Sequence, residues 1–379
     1  MKFLIAMDSF KGCLSSLDAG NAVARGIRCV FADAEIEVCS IADGGEGTID
    51  ALAMADHAQL MTCNADGPYR DPVLAKYLIF PGKLAVIEMA QAAGLHLTQR
   101  RDVLYASTYG VGMMIRDAIE HGCRRFIVGI GGSATNDGGA GMLQALGFRL
   151  LDERGNSIER GAIGLKSLYS IDESHVLSEL KECIFEVACD VTAPLLGEHG
   201  CSLIFGPQKG ASLDTAREMD HWLAHYVDII KKYHPNANPN EAGSGVAGGL
   251  GFALKIFCHA ELQRGLPLIA QILHLEEKIQ FADYIFTGEG QIDAQTMRGK
   301  VPVGIAAVAK KYQKPVIALV GAVSDDIDII YSLGIDAVFS IQKGPTALAE
   351  SMHPPMAQMN LSNTAAQIAR LICVASRHE

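Results

Sequence analysis

The sequence has no long apolar run and few aromatic residues. Only 6% of its 379 residues are aromatic, and there is a single tryptophan. No uninterrupted apolar stretch approaches the roughly 18 residues that a membrane-spanning helix needs. The short apolar run of Met1–Ala6 is closely followed by Asp8, too early for the apolar region of a signal peptide. We therefore expect a soluble, cytoplasmic protein without a membrane partner.

Positive charge is also scarce. The 32 Lys and Arg residues are outnumbered by 43 Asp and Glu residues, so the formal net charge is −11. An acidic chain without a basic block is a poor partner for nucleic acid. The ten cysteines include no Cys-x-x-Cys pair, which argues against both a zinc site and a disulfide framework. They are typical of buried thiols in a reducing compartment.

Three frequent catalytic motifs are absent from the sequence. A Walker loop, G-x-x-x-x-G-K-S/T, is not present, since Gly299 and Lys300 are followed by Val301. There is no H-E-x-x-H zinc motif and no G-x-S-x-G nucleophile elbow. These absences argue against a P-loop enzyme, a zinc peptidase and a hydrolase with a serine nucleophile.

The two ends of the chain show strand patterns that alternate with helical patterns. Near the N terminus, a strand at Lys2–Ala6 precedes a helical period over Ser15–Phe31 and a strand at Glu35–Ser40. The last hundred residues predict strands at Asp283–Thr287, Pro315–Val323 and Ala337–Ile341, with helices at Pro302–Tyr312, Asp325–Leu333 and Leu361–Ala375. This alternation predicts a parallel sheet of flavodoxin or Rossmann type, made from both chain ends.

The middle of the chain has a different pattern. Leu74–Phe80 and Leu84–Met89 flank a Pro-Gly-Lys turn and predict a hairpin, and Leu213–Tyr233 predicts a long amphipathic helix. The fold class is therefore α/β with two α/β domains. We expect a parallel domain of residues 1–66 and 283–379, and a mixed α/β domain of residues 67–282 inserted between them.

Glycine is in excess, with 39 residues that concentrate in four clusters. The clusters are Asp43–Gly47, Gly129–Gly139, Gly243–Gly251 and Gly288–Gly290. Glycines let backbone N–H groups approach phosphate oxygens, and neighbouring carboxylates are ligands for Mg²⁺. One such cluster alone is more often a tight turn. Four clusters, three of them with acids, favour a phosphate and magnesium site.

Reactive polar side chains follow several predicted strands. They are Asp8, Ser9 and Lys11 after the first strand, Asp43 and Glu46 after the second, Asp190 and Thr192 after Phe185–Cys189, and Glu289, Asp293 and Lys300 after Asp283–Thr287. For each of them alone, a helix cap or a loop acid is the better explanation. Because ligands bind at the carboxyl ends of parallel strands, their shared placement predicts a common cleft.

Two other functions remain open at this point. Gly129–Ala134 matches the dinucleotide pattern G-x-G-x-x-A, and Asp152 lies at a plausible distance for a ribose contact, which would indicate an NAD(P)-dependent oxidoreductase. Against it, Asn136–Gly139 falls where the helix of that motif should already be running. The other alternative is a non-enzymatic protein that binds a nucleotide or a sugar acid.

Seven motifs occur in order along almost the whole chain: Asp8–Gly12, Ala42–Thr48, Gly131–Gly139, Cys189–Thr192 with Pro194–Gly197, Phe205–Gly210, Ala247–Gly251, and Thr287–Gly290 with Ile292–Asp293. In these motifs the chain resembles the type-1 bacterial glycerate kinases. The resemblance implies ATP- and Mg²⁺-dependent phosphorylation of D-glycerate in glycerate, glyoxylate or sugar-acid catabolism, with 2-phosphoglycerate favoured over 3-phosphoglycerate. It also implies an active site in the cleft between two α/β domains, and it leaves a homo-oligomer open.

Roles for the candidate residues follow from this resemblance. Lys11 and Lys209 are candidates for neutralising the transferred phosphoryl group or the glycerate carboxylate. Asp43 and Asp190 are candidates for the Mg²⁺ ligand and for the base that orients the hydroxyl, in either order. The remaining binding candidates are Asp8, Ser9, Gly44, Gly45, Glu46, Gly131, Gly132, Ser133, Asn136, Asp137, Thr192, Gly245, Gly248, Gly249, Glu289 and Asp293.

Overall fold

The chain's contacts divide it into two compact units, each built around its own sheet. Unit 1 comprises Met1–Asp43, Asp50–Asp56 and Leu266–Glu379, and unit 2 comprises Gly44–Ile49 and His57–Gly265. The structure, a computed structural model, describes residues 1–42, 44–293, 296, 300–324 and 328–377.

The described residues form the following elements. The strands are β1 (Lys2–Met7), β2 (Glu35–Ser40), β3 (Gln59–Asp66), β4 (Pro72–Phe80), β5 (Leu84–Glu88), β6 (Arg125–Gly129), β7 (Arg149–Leu151), β8 (Ser170–Asp172), β9 (Ile184–Ala188), β10 (Glu261–Gln263), β11 (Tyr284–Gly288), β12 (Gln291–Ile292), β13 (Val316–Val320), β14 (Ala322–Val323) and β15 (Ala337–Ser340). The helices are α1 (Ser16–Arg28), α2 (Thr48–Leu52), α3 (Ala90–Ala93), α4 (Tyr109–Glu120), α5 (Ala140–Ala145), α6 (Ala162–Leu165), α7 (Cys201–Phe205), α8 (Leu213–Ile230), α9 (Val246–Cys258), α10 (Gly265–Ile272), α11 (Leu275–Phe281), α12 (Val301–Lys311), α13 (Asp328–Ser332), α14 (Leu348–Ser351) and α15 (Pro354–Ala375). Short 3₁₀ turns lie at Leu95–Leu97, Ser178–Glu182 and Pro207–Lys209.

Unit 1 is organised around a parallel sheet with the strand order β15-β13-β11-β1-β2. Each neighbouring pair in this sheet is parallel, with Ala6 opposite both Cys39 and Thr287. The central strands β1, β11 and β13 are mostly apolar and almost entirely buried, as is usual for parallel sheets. The predicted parallel sheet from both chain ends is confirmed.

Helix α1 shows why the sequence folds locally as it does. The Ser15 side chain accepts a hydrogen bond from the backbone N–H of Asp18, which caps the helix as its Ser-x-x-acid pattern predicts. The inner face of α1 packs on α15. At their crossing, a Cβ on Gly26 would lie 2.1 Å from the Ser362 carbonyl oxygen, so only glycine permits this approach.

Unit 2 is organised around a mixed sheet with the strand order β10-β9-β6-β5-β4-β3. The strands β3, β4 and β5 are antiparallel to one another, and β5, β6, β9 and β10 are parallel. Most of the largest buried side chains of the unit lie on or against this sheet, including stacked Phe126 and Phe185. The predicted mixed α/β middle segment and its hairpin are confirmed.

The contact units begin and end at other residues than the predicted domains. Strand β3 pairs with β4, so residues 57–66 join unit 2, whereas α11 packs against α12 and β1 and joins unit 1. The bounds 1–66 with 283–379, and 67–282, stay a prediction about which segments fold as domains. Across the described residues, no helix combines the length and the apolar character that crossing a membrane would require.

Candidate active site

In unit 1, candidate residues lie where the strand order changes direction. From β1 the chain proceeds to β2 on one side, and from β11 it proceeds to β13 and β15 on the other. The carboxyl ends of β1 and β11 therefore flank the topological switch point, which is the usual ligand position in an open α/β sheet. Asp8 and Ser9 directly follow β1, and Glu289 directly follows β11.

The loop after β1 is tied to the end of β11. The backbone N–H of Asp8 donates to the Gly288 carbonyl at 2.8 Å, and the backbone N–H of Ser9 donates to Asp8 Oδ1 at 2.6 Å. Lys11, two residues further, is exposed. This loop thus holds a carboxylate in place and presents a cation to solvent.

Glu289 is a buried carboxylate beside cations. Its side chain accepts a 2.6 Å hydrogen bond from the Thr296 hydroxyl, and its second oxygen lies 3.8 Å from Lys300 Nζ. Burial raises the pKa of Glu289, while the hydrogen bond from Thr296 and the charges of Lys300 and Lys11 act in the opposite direction. The Thr296 backbone N–H also donates to Asp293 Oδ1. The structure therefore brings together Glu289, Asp293 and Lys300, as their sequence positions indicated.

In unit 2, the loop Gly44–Ile49, which contains most of the first glycine cluster, lies across the ends of three strands. A Cβ on Gly44 would fall 2.2 Å from the Ala188 Cβ at the end of β9, and a Cβ on Gly129 at the end of β6 would fall 2.1 Å from the Gly44 carbonyl oxygen. The third strand end is that of β5, whose last residue is Glu88. Close backbone packing thus explains the glycine at position 44, which also has a φ of 84°.

Glu88 fixes this loop through its carboxylate. It is 1% exposed and accepts hydrogen bonds from the backbone N–H groups of Gly47 at 3.1 Å and Ile49 at 3.2 Å. Sequence reasoning missed Glu88, since it ends an apolar strand pattern. The sequence did contain a signal for Glu88, because it is a single acid in an otherwise apolar strand. Acidic residues are rarely buried without partners.

Glu46 and His96 form an exposed pair beside the next loop. Glu46 Oε1 lies 3.6 Å from His96 Nδ1, and the Glu46 carboxylate also borders Gly132. His96 was not singled out in the sequence either. The predicted binding residues Gly44, Glu46 and Gly132 are therefore neighbours in the structure.

The loop Gly131–Gly139 covers a buried lysine. Lys209 is 2% exposed, and its Nζ donates to Ser133 Oγ at 2.9 Å and to the Thr135 carbonyl at 2.6 Å. Burial lowers the pKa of Lys209 to about 8, whereas Cys201 and Asp137 raise it. The structure thus places Lys209 against the glycine loop, with the ammonium group underneath the loop.

Asp137 acts as an anchor of the same loop. It is fully buried and accepts hydrogen bonds from the Thr108 N–H and hydroxyl and from the N–H groups of Gly139 and Gly141. Burial raises the pKa of Asp137, and these hydrogen bonds lower it. Its neighbour Asn136 donates to Ser202 Oγ at 2.8 Å. Thr108 and Ser202 are further residues that the sequence did not reveal.

The third glycine cluster packs directly on the second half of this loop. The Gly138 N–H donates to the Gly248 carbonyl at 2.9 Å, and a Cβ on Gly248 would lie 2.1 Å from the Thr135 carbonyl oxygen. Gly245 donates its N–H to the Ala193 carbonyl at 3.0 Å. Two predicted phosphate loops therefore form one layer of backbone at the carboxyl ends of β6 and β9.

Of the two candidate acids Asp190 and Asp43, the structure describes only Asp190. Asp190 follows β9, is exposed, and accepts a hydrogen bond from the Gly265 N–H at 3.4 Å. Thr192 is exposed nearby. Asp43 lies outside the described residues.

Comparison with known proteins decides the family. The sequence model of the glycerate kinase family matches residues 3–373. The chain is 44% identical to a protein of Escherichia coli K12 named glycerate 2-kinase, over the whole length of both, and 44% identical to a glycerate kinase of Bacillus subtilis 168 over 93% of each. The chain belongs to the glycerate kinase family. It is therefore an enzyme, a phosphotransferase that acts on glycerate, and as a kinase it takes ATP as its co-substrate.

A solved structure shows the same fold for this family. A protein of Salmonella typhimurium LT2, described as a candidate glycerate kinase 2, superposes with a TM-score of 0.89 at 42% sequence identity. The match covers 100% of this chain and 99% of that one. The sequence-based resemblance and the α/β fold class are confirmed.

Membership of the glycerate kinase family overturns the oxidoreductase alternative, and the structure gives the reason. No helix begins within Gly129–Ala134; the next helix, α5, starts only at Ala140, after Gly138 and Gly139 with φ of 64° and 78°. The Asp152 carboxylate stabilises a turn, because it accepts hydrogen bonds from the N–H groups of Arg154 and Asn156. The alternative of a non-enzymatic binding protein is also wrong.

Proposed function

We propose that the chain phosphorylates D-glycerate at its 2-hydroxyl, giving 2-phosphoglycerate. The observation behind the position is full-length similarity, at 44% identity, to a protein named for that position. A 2-kinase must hold the glycerate carboxylate while the neighbouring hydroxyl attacks the γ-phosphorus of ATP in line.

The candidate residues of unit 1 and of unit 2 have different proposed roles. In unit 2, the layered loops Gly131–Gly139 and Gly245–Gly249 offer backbone N–H groups, and Lys209 beneath them supplies positive potential for phosphate oxygens. In unit 1, Lys11 is an exposed cation that can neutralise the transferred phosphoryl group or the substrate carboxylate. Asp8, Ser9, Glu289 and Asp293 shape the surroundings of Lys11.

Asp190 and Asp43 are proposed as the hydroxyl-orienting base and the Mg²⁺ ligand, in either order. The exposed carboxylate of Asp190 provides the oxygen donors that Mg²⁺ prefers. Within the part of the chain that the structure describes, no group of three or more His, Cys, Asp or Glu side chains could hold a metal ion. A kinase Mg²⁺ needs no such cage, because one or two carboxylates suffice when substrate phosphates supply the other ligands. The ion would neutralise phosphate charge.

The test uses substrate analogues that remove one hydroxyl each. ADP release is followed with D-glycerate, with D-lactate, which lacks the 3-hydroxyl, and with 3-hydroxypropionate, which lacks the 2-hydroxyl. The proposal expects turnover of glycerate, detectable turnover of lactate and none of 3-hydroxypropionate. Turnover of 3-hydroxypropionate but not of lactate would contradict phosphorylation at the 2-hydroxyl.

A further inference from the structure

Lys209 is a buried cation whose two hydrogen-bond acceptors, a hydroxyl and a backbone carbonyl, are both uncharged. Its three ammonium protons are donors, and two of them go to Ser133 Oγ and the Thr135 carbonyl. Among the described residues, no carboxylate oxygen lies within ion-pair distance of Nζ. A buried charge is costly unless it is paired, so a cation kept here indicates an anion that arrives from outside the chain.

Ser133 is the residue through which that charge can act. A lysine ammonium has no acceptor, so its hydrogen bond fixes Ser133 Oγ as the acceptor on that side. The hydroxyl proton of Ser133 then needs another acceptor, and none is found among the described residues. Ser133 is 8% exposed, directly after the exposed Gly132, so a ligand at the loop surface can reach its hydroxyl.

We propose that Ser133 donates its hydroxyl proton to an anionic oxygen of a substrate, and that Lys209 is a positioning residue which polarises Ser133 from below without touching the substrate. The anionic oxygen belongs to a phosphate of ATP or to the carboxylate of glycerate. This inference rests on the proposed phosphoryl transfer, which brings both anions to the site. It differs from the role predicted from the sequence, in which Lys209 meets the anion directly.

Three variants, S133A, K209M and the double variant, are compared with the wild type to test the proposal, with S167A and K255M as matched controls. Ser167 is an exposed residue whose hydroxyl donates to the Gly164 carbonyl, and Lys255 is a half-buried lysine paired with Glu241, both in unit 2. For each protein, kcat and the KM values for ATP and glycerate are measured between pH 6.5 and 9.5. Thermal unfolding confirms that each variant is folded.

The proposal expects S133A to raise one of the two KM values about tenfold or more, as for a lost hydrogen bond to a charged group. A rise in the KM for ATP identifies a phosphate oxygen, and a rise in the KM for glycerate identifies the carboxylate. K209M should raise the same KM. In the double variant this KM should be no higher than in the more impaired single variant, because Lys209 acts through Ser133. The controls should stay within twofold of the wild type.

The pH profile gives a readout that a purely structural lysine would not move. The titratable groups facing Lys209 are Cys201, whose pKa burial raises to about 12, and Asp137. Because burial lowers the pKa of Lys209 to about 8, wild-type kcat/KM for the affected substrate should fall as the pH rises through that value. K209M should lack this alkaline limb.

Two results would overturn the inference: an S133A variant with both KM values within twofold of the wild type, or losses in the single variants that multiply in the double variant. If K209M does not fold, the S133A result decides alone. A wild type without glycerate-dependent ADP release would instead contradict the proposed function, and calorimetric ATP binding to wild type and S133A would then decide the inference.

Discussion

At the scale of single residues, buried carboxylates hold the glycine loops in place. Glu88 binds two backbone N–H groups of the Gly44–Ile49 loop, and Asp137 binds those of Gly139, before α5, and of Gly141, in its first turn. The sequence singled out Asp137 as an acid beside glycines but could not tell an anchor from a ligand. That distinction depends on burial and on which N–H groups are near, and both arise only when distant strands pair.

The Glu88→Gln substitution tests whether the loop needs its anchor. The amide nitrogen of Gln cannot accept a hydrogen bond, so the N–H of Gly47 or of Ile49 loses its partner. A shift of about 1 Å in a positioned loop can cost about 100-fold in rate, and we expect kcat to fall at least about tenfold. Glu186→Gln, on strand β9 of the same sheet, is the matched control and should retain kcat. A folded E88Q protein with wild-type kinetics would contradict this role.

The Asp190→Asn substitution separates the two roles proposed for this acid. If Asp190 orients the hydroxyl as the base, kcat should fall by about 100-fold or more at any Mg²⁺ concentration. If Asp190 holds Mg²⁺, the concentration for half-maximal rate should rise and excess Mg²⁺ should restore part of the rate. Asp152→Asn, at a half-buried turn acid of unit 2, is the control. Unchanged kcat and unchanged Mg²⁺ dependence would remove Asp190 from both roles.

Burial of Lys209 also predicts a pH dependence of stability. Its pKa is about 8 in the folded protein and 10.5 in its ordinary environment, so between these values the unfolded state binds more protons. The contribution of Lys209 to the free energy of unfolding therefore rises with pH between these two values. Below pH 8 the lysine is charged in both states, and the burial of its charge lowers the free energy of unfolding by the full amount. Between pH 7 and 9.5, the unfolding free energy of the wild type should gain about 2 kcal/mol relative to that of K209M in denaturant titrations. A constant difference would contradict a lowered pKa.

At the scale of elements, close backbone packing explains several of the glycines that first suggested a phosphate site. Gly44 packs on β9, and Gly248 packs on the Thr135 carbonyl. The sequence could locate these clusters but could not separate glycines that admit a ligand from glycines that admit a neighbouring loop. Both uses need a missing Cβ.

Paired glycine substitutions measure this packing. Gly155 and Gly248 both have positive φ, but a Cβ at Gly155 meets open space, whereas a Cβ at Gly248 meets a carbonyl oxygen. Gly155→Ala should cost about 1 kcal/mol of unfolding free energy from backbone strain alone. Gly248→Ala should cost at least twice as much and also raise the KM for ATP. Equal losses for the two variants in thermal unfolding and kinetics would contradict tight packing of the layered loops.

Most elements could be predicted from their periodicity, and their ends could not. The strands around Lys2–Met7 and Glu35–Ser40 and the capped helix α1 agree with the sequence patterns. The predicted strand Pro315–Val323 is in fact two, β13 and β14, because the chain leaves the main sheet at Gly321 and pairs with Gln291–Ile292. An apolar run does not show where a strand changes its partner.

At the scale of the whole molecule, the order of motifs identified the family more firmly than any one site. The strand order of unit 1, with β1 between β2 and β11, requires the two chain ends to fold together. The sequence indicated this through matching strand and helix patterns at both ends. The antiparallel start of the unit 2 sheet was visible only as one hairpin, because β3 has exposed apolar residues and an irregular pattern.

The most direct test of the account is phosphorus NMR of the product formed from D-glycerate and Mg-ATP. In 2-phosphoglycerate the phosphorus couples to the single proton on C2 and gives a doublet, whereas in 3-phosphoglycerate it couples to two protons and gives a triplet. Phosphorylation at the 2-hydroxyl should give glycerate-dependent ADP release together with the doublet. A triplet would contradict phosphorylation at the 2-hydroxyl, and ADP release that does not depend on glycerate would contradict the proposed reaction.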